Sequence, residues 1–446
     1  MKSQKTKCGI LVIATFLYLG TTDHAQQFDV KSHQLKNGMR ILMLEDHSIP
    51  NVALYFFHRV GSRNEHTGIT GLSHFFEHMM FNGAKKYGPG MFDRVMEDNG
   101  GSNNAYTSED LTVYQDWFPT SALPLIFDLE ADRTSSLSFD PKMVESERGV
   151  VANERRMSVE NNNEDLLREQ LMASAFTAHP YHWPVVGWMV DIEKWKREDL
   201  INYFKTYYAP NNCEMVIVGD IQPDEVIRLA QKYLEPIPAQ EPPRPVTTQE
   251  PQQLGERRVF VNKFAQLPLL QVAYHTPAAV DPDFITLSVL DYILLRGESS
   301  RLYQRLVDKD QVAVSVQGGQ SEHLDPFIFE IDVQPRSEVE VERIEKILYD
   351  ELDKAQNTLV DQKELQKAKN TAVADFYRSM KTISGKANVL GVYDVVLGDY
   401  QKLFKAGELI NQVTREDVQR VAQKYFKARN RTVAILVPEP TQTPEK

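Results

Sequence analysis

Residues 71–80 read Gly-Leu-Ser-His-Phe-Phe-Glu-His-Met-Met, and within them His74, Glu77 and His78 form a His-x-x-Glu-His pattern. Leu72, Phe75, Phe76, Met79 and Met80 recur at helical spacing, which predicts a largely buried helix. Residues four apart on a helix lie one above the other. His74 and His78 can therefore present two imidazole nitrogens to one metal ion. Glu77 can face the same site without being a ligand, where a general base for metal-activated water belongs. Two histidines and a glutamate are costly to bury in so apolar a segment unless something pairs them.

A hydrolytic zinc site uses three protein ligands and keeps one position open. The acidic pair Glu147 and Glu154, seven residues apart, offers a third ligand on one face of a second helix. One of the two could ligate while the other supports the ligands. Spacing alone does not say which, and acidic helix residues are commonly a solvated face.

The inverted His-x-x-Glu-His order, followed by this glutamate pair, resembles the M16 zinc metallopeptidases. These are the pitrilysin and mitochondrial-processing-peptidase group, and the chain is similar to its smaller bacterial type. The resemblance covers nearly the whole mature chain. It implies zinc on His74, His78 and Glu154, with Glu77 as general base and Glu147 as a supporting acid. It also implies an endopeptidase acting on extended peptides or unfolded segments. The stretch Gly101–Thr107 is expected to border the zinc site and to pair with substrate backbone, with Asn104, Ala105 and Tyr106 as the contacts. A polar loop linking helix to strand is the alternative there.

Active family members often use an Arg and a Tyr from a C-terminal half to hold substrate. Neither occurs in the corresponding stretch, Leu324–Glu330. That departure implies a partner: an inactive homologous M16-like subunit supplying the pair in a heterodimer, or else a homodimer. The rival expectation is a zinc-bearing peptide-binding or assembly subunit without catalysis of its own. An intact Glu77 argues against it, because a purely structural site has no use for that residue.

The elements that must position these groups are legible in outline. His33–Leu44 reads as two strands around an Asn37-Gly38 turn, and Val52–Phe57 as a third. Phe92–Asp98 reads as a helix and Leu111–Phe118 as a strand. Glu198–Tyr208 and the segment opened by Pro223 read as helices, and Glu214–Gly219 as a strand between them. His179–Pro184 holds two histidines and a tryptophan; a packed structural loop is expected rather than a second site. Gly297–Tyr303 is expected to cap and pack a helix. Leu365–Met380, with Lys363, Lys367 and Lys369, is expected to be a helix with a solvated face.

The second half repeats the first. Arg197-Glu198-Asp199, Tyr207-Tyr208 and Asn212 recur at the same offsets as Arg415-Glu416-Asp417, Tyr425-Phe426 and Asn430. Leu72-Ser73 matches Leu287-Ser288, which sets Val289, Tyr292 and Ile293 where His74, Glu77 and His78 stand. The repeat has the helix without the metal chemistry, so one Zn²⁺ per chain is expected. The fold class expected is α+β: two structurally similar domains, each a mainly antiparallel sheet with packed helices. The family's fold implies that they face each other as a clam shell.

Of the 446 residues, 42% are hydrophobic and 25% charged, ordinary for globular domains. A net charge of -12 argues against a nucleic-acid surface. Residues 1–26, with Lys2, Lys5 and Lys7 before the apolar run Gly9–Gly20, read as a signal peptide too short for a stable membrane anchor. Export to a periplasm is expected. Cys213 would then be the only cysteine, which leaves no internal disulfide and no cysteine-based zinc site. The domain plan is therefore 27–234 for the zinc-binding domain, a proline-rich linker over 235–256, and 257–437 for the degenerate repeat. Residues 438–446 are expected to form a disordered tail.

Overall fold

The computed structural model describes residues 28–439. The expected signal peptide, and the tail beyond residue 439, lie outside the described residues. Pro438 and Glu439, assigned above to the tail, instead continue the last strand, paired with Lys263 and Phe264.

The first half opens with β1 (Lys31–Gln34), β2 (Arg40–Glu45) and β3 (Asn51–His58), followed by α1 (Leu72–Met79) and α2 (Met91–Asp98). β4 (Ser102–Thr107) and β5 (Thr112–Pro119) lead to α3 (Leu123–Ser136), α4 (Pro141–Arg155) and α5 (Asn163–Ala175). Then come α6 (Met189–Ile192), α7 (Arg197–Tyr207), β6 (Cys213–Gly219) and α8 (Pro223–Tyr233). The second half has β7 (Arg257–Phe264), β8 (Leu269–Thr276), α9 (Asp283–Leu294), β9 (Ala313–Gly319) and β10 (Phe327–Pro335). It ends with α10 (Val341–Asn357), α11 (Gln362–Ser379), α12 (Ile383–Val395), α13 (Leu403–Gln412), α14 (Arg415–Tyr425) and β11 (Arg431–Glu439).

The fold is α+β. One sheet has the order β1-β2-β6-β3-β5-β4, the other β7-β11-β8-β10-β9. Without β1 the two orders are the same, and each sheet has one parallel pair, β2 with β6 and β7 with β11. The repeat reaches single hydrogen bonds. Asn212 Nδ2 donates to the Tyr207 carbonyl and Asn430 Nδ2 to the Tyr425 carbonyl, both at 2.8 Å. At the positions matched to the histidines, Val289 and Ile293 are core residues, and Tyr292 donates to Asp375 Oδ2 at 3.0 Å.

The two halves face each other as a clam shell and exchange helices across the join. α5, from the first half, covers the second sheet: Leu167, Leu171 and Ala175 share a core with Ala273, Phe327, Ala434 and Leu436. α12, from the second half, covers the first sheet: Ala387 and Leu390 pack with Tyr55, Phe57, Val216 and Val218. Gly391 makes this approach possible, because a Cβ there would lie 2.1 Å from the Phe57 ring. The segment between α8 and β7 has no regular structure but is pinned: Glu250 accepts from the amides of Thr177, Ala178 and His179 at 2.8–3.0 Å.

The expected solvated face of α11 needs one correction. Lys363 and Lys367 are exposed, but Lys369 is buried and donates to the Asn411 carbonyl at 2.8 Å. A stem that long reaches past the apolar stripe to a helix-end carbonyl on α13. Gly297–Tyr303 packs as expected, with Arg301 bonded by two nitrogens to Glu364 of α11, both at 2.7 Å. Among the described residues no helix is long and apolar enough to cross a membrane.

Candidate active site

The helix that carries the histidines is fixed at both ends. Glu65, buried just before it, accepts the amides of Gly71 and Ser73, each at 2.7 Å. A carboxyl group is well placed at a helix N-terminus, although burial pushes Glu65 up to about 8. Gly71 adopts φ +88°, and a Cβ there would lie 2.4 Å from the Val186 carbonyl oxygen. Gly187 reciprocates: at φ +83°, its Cβ would lie 2.4 Å from the Thr70 oxygen. This paired close approach seats the loop 183–187 against the start of α1. At the other end Tyr114 donates to the Phe76 carbonyl at 2.9 Å.

α4 brings the acidic pair to α1. Its start is capped by Asp140, which accepts from the amides of Lys142 and Met143. Its C-terminal end is tied to α5 by a buried ion pair, Arg155 to Glu169 at 2.9 Å. The seven-residue spacing then works as read: Glu147 and Glu154 both face α1. Glu154 lies 3.5 Å from His74 Nε2 and 3.2 Å from His78 Nε2. One donor atom from each of His74, His78 and Glu154 lies within 4.8 Å of the others, the one such metal-sized cluster among the described residues. Glu147 stands outside it and accepts from His78 Nδ1 at 2.8 Å, the partner that fixes an imidazole's ring and tautomer. Asn82 Nδ2 in turn donates to Glu147 at 2.6 Å.

Two imidazole nitrogens and one carboxylate are a donor set that suits zinc, and three ligands leave room for a fourth. Without the metal the same groups hold a proton. Burial alone would lower His78, but the Glu147 and Glu154 carboxylates overcome it and raise it to about 9. Glu154 is held well below the usual carboxylate range by His74 and His78. Glu147 is lowered by its bond to His78. The site concentrates negative charge around a single cationic position.

Glu77 is half-buried and outside the metal-sized cluster. One of its oxygens, Oε2, accepts from the Thr107 hydroxyl at 2.6 Å. Thr107 ends β4, the edge strand of its sheet, so Gly101–Thr107 is a strand from Ser102 onward rather than a loop. The outer backbone edge of β4 has no strand neighbour among the described residues. Asn104 is exposed on it, Ala105 packs into the core beside α1, and Tyr106 donates to Asn388 of α12 at 3.3 Å. The Tyr106 side chain is thus committed to the other half, and only its backbone is left at the edge.

A cavity of about 290 Å³ opens beside His74, lined by Glu109, Arg168, Met172, Trp183 and Val186. Arg168 donates through Nε to Glu330 of β10 at 3.2 Å. The stretch that lacks an Arg and a Tyr of its own thus receives arginines from the first half, Arg168 on Glu330 and Arg63 on Asp325 at 2.8 Å. His179–Pro184 packs as a structural loop. His179 lies 3.1 Å from Asp325, Tyr181 donates to Asp110 at 2.7 Å, and Trp183 Nε1 donates to the Ser62 carbonyl at 2.8 Å. Cys213 is buried, and burial pushes its thiol well up.

At the level of sequence, Asn82 and Arg168 carry no role, and Thr107 figures only as the end of the expected substrate-pairing stretch Gly101–Thr107. Asn82 lies in the turn just beyond α1, which ends at Met79, so helix periodicity does not mark it. The contacts of Thr107 and Arg168 depend on tertiary register, and no local pattern marks them.

Residues 40–187 match the family described as "Insulinase (Peptidase family M16)", and residues 194–372 match "Peptidase M16 inactive domain". The zinc protease PqqE of Helicobacter pylori is 31% identical over 427 residues, spanning 94% of this chain and 96% of its own. The crystal structure of a protease from Helicobacter pylori superposes with a TM-score of 0.89 at 30% identity, covering 92% of this chain and all of that one. The periplasmic protease PqqL of Escherichia coli shares the fold, with a TM-score of 0.75 at 19% identity. There 92% of this chain matches only 48% of the longer one. On sequence and fold together, the chain belongs to peptidase family M16.

Proposed function

We propose that the chain is a zinc-dependent endopeptidase that hydrolyses peptides or unfolded polypeptide segments, with one zinc ion held by His74, His78 and Glu154. The observation that carries this reading is the cluster of two imidazoles and a carboxylate, the one such cluster among the described residues, with Glu77 beside it but outside it. Zinc held there supplies Lewis acidity, polarising a carbonyl oxygen and acidifying nearby water. Glu77 accepts the proton from the attacking water and passes it to the leaving amine. Glu147 orients His78 through Nδ1 and adds negative charge behind the ligands. The free edge of β4 offers backbone donors and acceptors to an extended peptide, through the main chain of Asn104, Ala105 and Tyr106.

In this reading residues 27–234 carry the chemistry, the segment 235–256 links the halves, and residues 257–437 complete the substrate wall. A homologous M16-like subunit supplies the missing Arg and Tyr, as a heterodimer, or a second copy closes the site. The match to only 48% of the longer Escherichia coli protease favours a second unit of similar size. Residues 1–26 direct export to the periplasm.

The test is cleavage of a quenched peptide library by the purified chain, with chelator and zinc add-back, alone and with a homologous subunit. Chelator-sensitive cleavage is expected. Glu77→Gln should keep its zinc and lose about 10²- to 10⁴-fold in turnover. A fully active Glu77→Gln variant would overturn the mechanism. A folded, zinc-loaded chain that binds peptide but cleaves nothing in either setting would instead mark a peptide-binding or assembly subunit.

A further inference from the structure

Glu77 is held from outside its own helix. The Thr107 hydroxyl donates to Glu77 Oε2 at 2.6 Å, in the short range of hydrogen bonds to a carboxylate. The other oxygen, Oε1, makes no hydrogen bond to another described residue and is left to take a proton.

Strand geometry places the donor. Side chains alternate along β4. Asn103, Ala105 and Thr107 share one face, on which Ala105 packs into the core beside α1 and Thr107 reaches Glu77. Asn104 and Tyr106 take the other face. Thr107 pairs in register with Thr112 of β5, and the Thr112 hydroxyl donates to the Val60 carbonyl at 2.9 Å. The donor is thereby tied through the sheet to the chain that leads into α1. A β-branched side chain has few χ1 choices, so this hydroxyl is a stiff support.

We infer that Thr107 is a positioning residue for the base. It fixes the Glu77 carboxylate with one oxygen committed and one free, and it links that carboxylate to the strand whose edge takes the peptide. This rests on the peptidase reading. A threonine that merely stabilised the fold would act on melting temperature. A threonine that positions the base acts on turnover and on where the carboxylate lies.

The experiment uses the full chain, zinc-loaded, with whichever subunit the peptide assay requires. Thr107→Val keeps the volume and the branch but removes the donor. It is expected to lower kcat by about 10- to 100-fold with KM within about twofold. Zinc content and melting temperature should match the parent. Thr107→Ser, which restores the donor, should recover most of the turnover. In the Glu77→Gln background, adding Thr107→Val should leave the affinity for an uncleaved peptide unchanged. Crystal structures of the parent and of Thr107→Val give a readout independent of activity: the Glu77 carboxylate should shift by about 1 Å or split between rotamers. Parental kcat in Thr107→Val, a loss confined to KM, a serine variant as impaired as the valine one, or an unmoved carboxylate would each overturn the inference. Should the parent cleave no peptide in any setting, the peptidase reading falls, and the two crystal structures still decide whether Thr107 sets the position of Glu77.

Discussion

Within the candidate site, single residues differ sharply in what they hold. His74 and His78 both aim Nε2 at Glu154, but only His78 has its second nitrogen fixed, by Glu147. Replacing Glu147 by Gln keeps the shape and removes the charge. Zinc affinity should fall by about 10- to 100-fold, read by competition with a chelator of known affinity, while the fold survives. The metal-free site makes a second prediction. Its His78 titrates near 9 when folded against an ordinary value of 6.5. The folded chain therefore holds that proton more tightly than the unfolded chain does. The stability this confers is fully present below about pH 6.5 and is lost as the pH rises through about 9. Urea midpoints of the metal-free protein should drop across that window, by up to roughly 3 kcal/mol in stability. The zinc-loaded protein should not show the drop, because metal binding displaces the proton.

These positions were legible because a helix converts sequence spacing into a shared face. His74 with His78, and Glu147 with Glu154, needed only a period of 3.6 residues. Thr107 and Arg168 needed knowledge of which strand end meets which helix, and local pattern does not hold that. Lys369 misled for the same reason: it belongs to a lysine-rich stretch, yet its partner is a carbonyl 42 residues further on.

At the scale of elements, glycine decides how closely α1 can be approached. The Gly71–Gly187 contact puts two left-handed residues back to back, each with a carbonyl oxygen 2.4 Å from where a Cβ would be. An alanine at either position meets backbone and cannot relieve the clash by turning a side chain. Gly71→Ala or Gly187→Ala should cost on the order of 1–3 kcal/mol for the strained backbone alone. The displaced loop carries Trp183 and Val186 of the cavity beside His74. Zinc affinity should therefore fall along with the melting temperature, whereas an alanine at the unobstructed Gly149 inside α4 should leave zinc affinity unchanged and raise the melting temperature slightly, because alanine is the better helix former. Most elements were legible beforehand, including the Asn37-Gly38 hairpin and the helices over Glu198–Tyr208 and from Pro223. β4 was balanced between strand and loop because Ser-Asn-Asn has little strand propensity. Pairing with β5 over six residues settles it.

For the whole molecule, the sequence repeat suggests two bodies joined by a tether, and the matching sheet orders bear out the repeat. The packing does not make the bodies independent. Each sheet buries one face under a helix that belongs, by sequence, to the other half. Without α12, Tyr55, Phe57, Val216 and Val218 would face water, and without α5 so would Ala273, Phe327 and Leu436. Polar contacts add to the join: Arg63 pairs with the half-buried Asp325 at 2.8 Å, and His323 Nδ1 lies 3.0 Å from Asp110 Oδ2. Uncovering either face exposes apolar surface at roughly 25 cal/mol per Å², against a net domain stability of only about 5–15 kcal/mol. The proline-rich segment 235–256 is thus a strap whose continuity matters less than the exchange of helices above it. A protease site introduced at about residue 243 and cut in the native state should leave two fragments that co-elute as one particle. Those fragments should unfold in a single calorimetric transition whose enthalpy equals the van't Hoff value. The fragment 28–234 expressed alone should aggregate or bind the dye ANS through its uncovered sheet face. Two separable transitions, or a monomeric and well-folded 28–234, would show that the halves are joined by the strap alone.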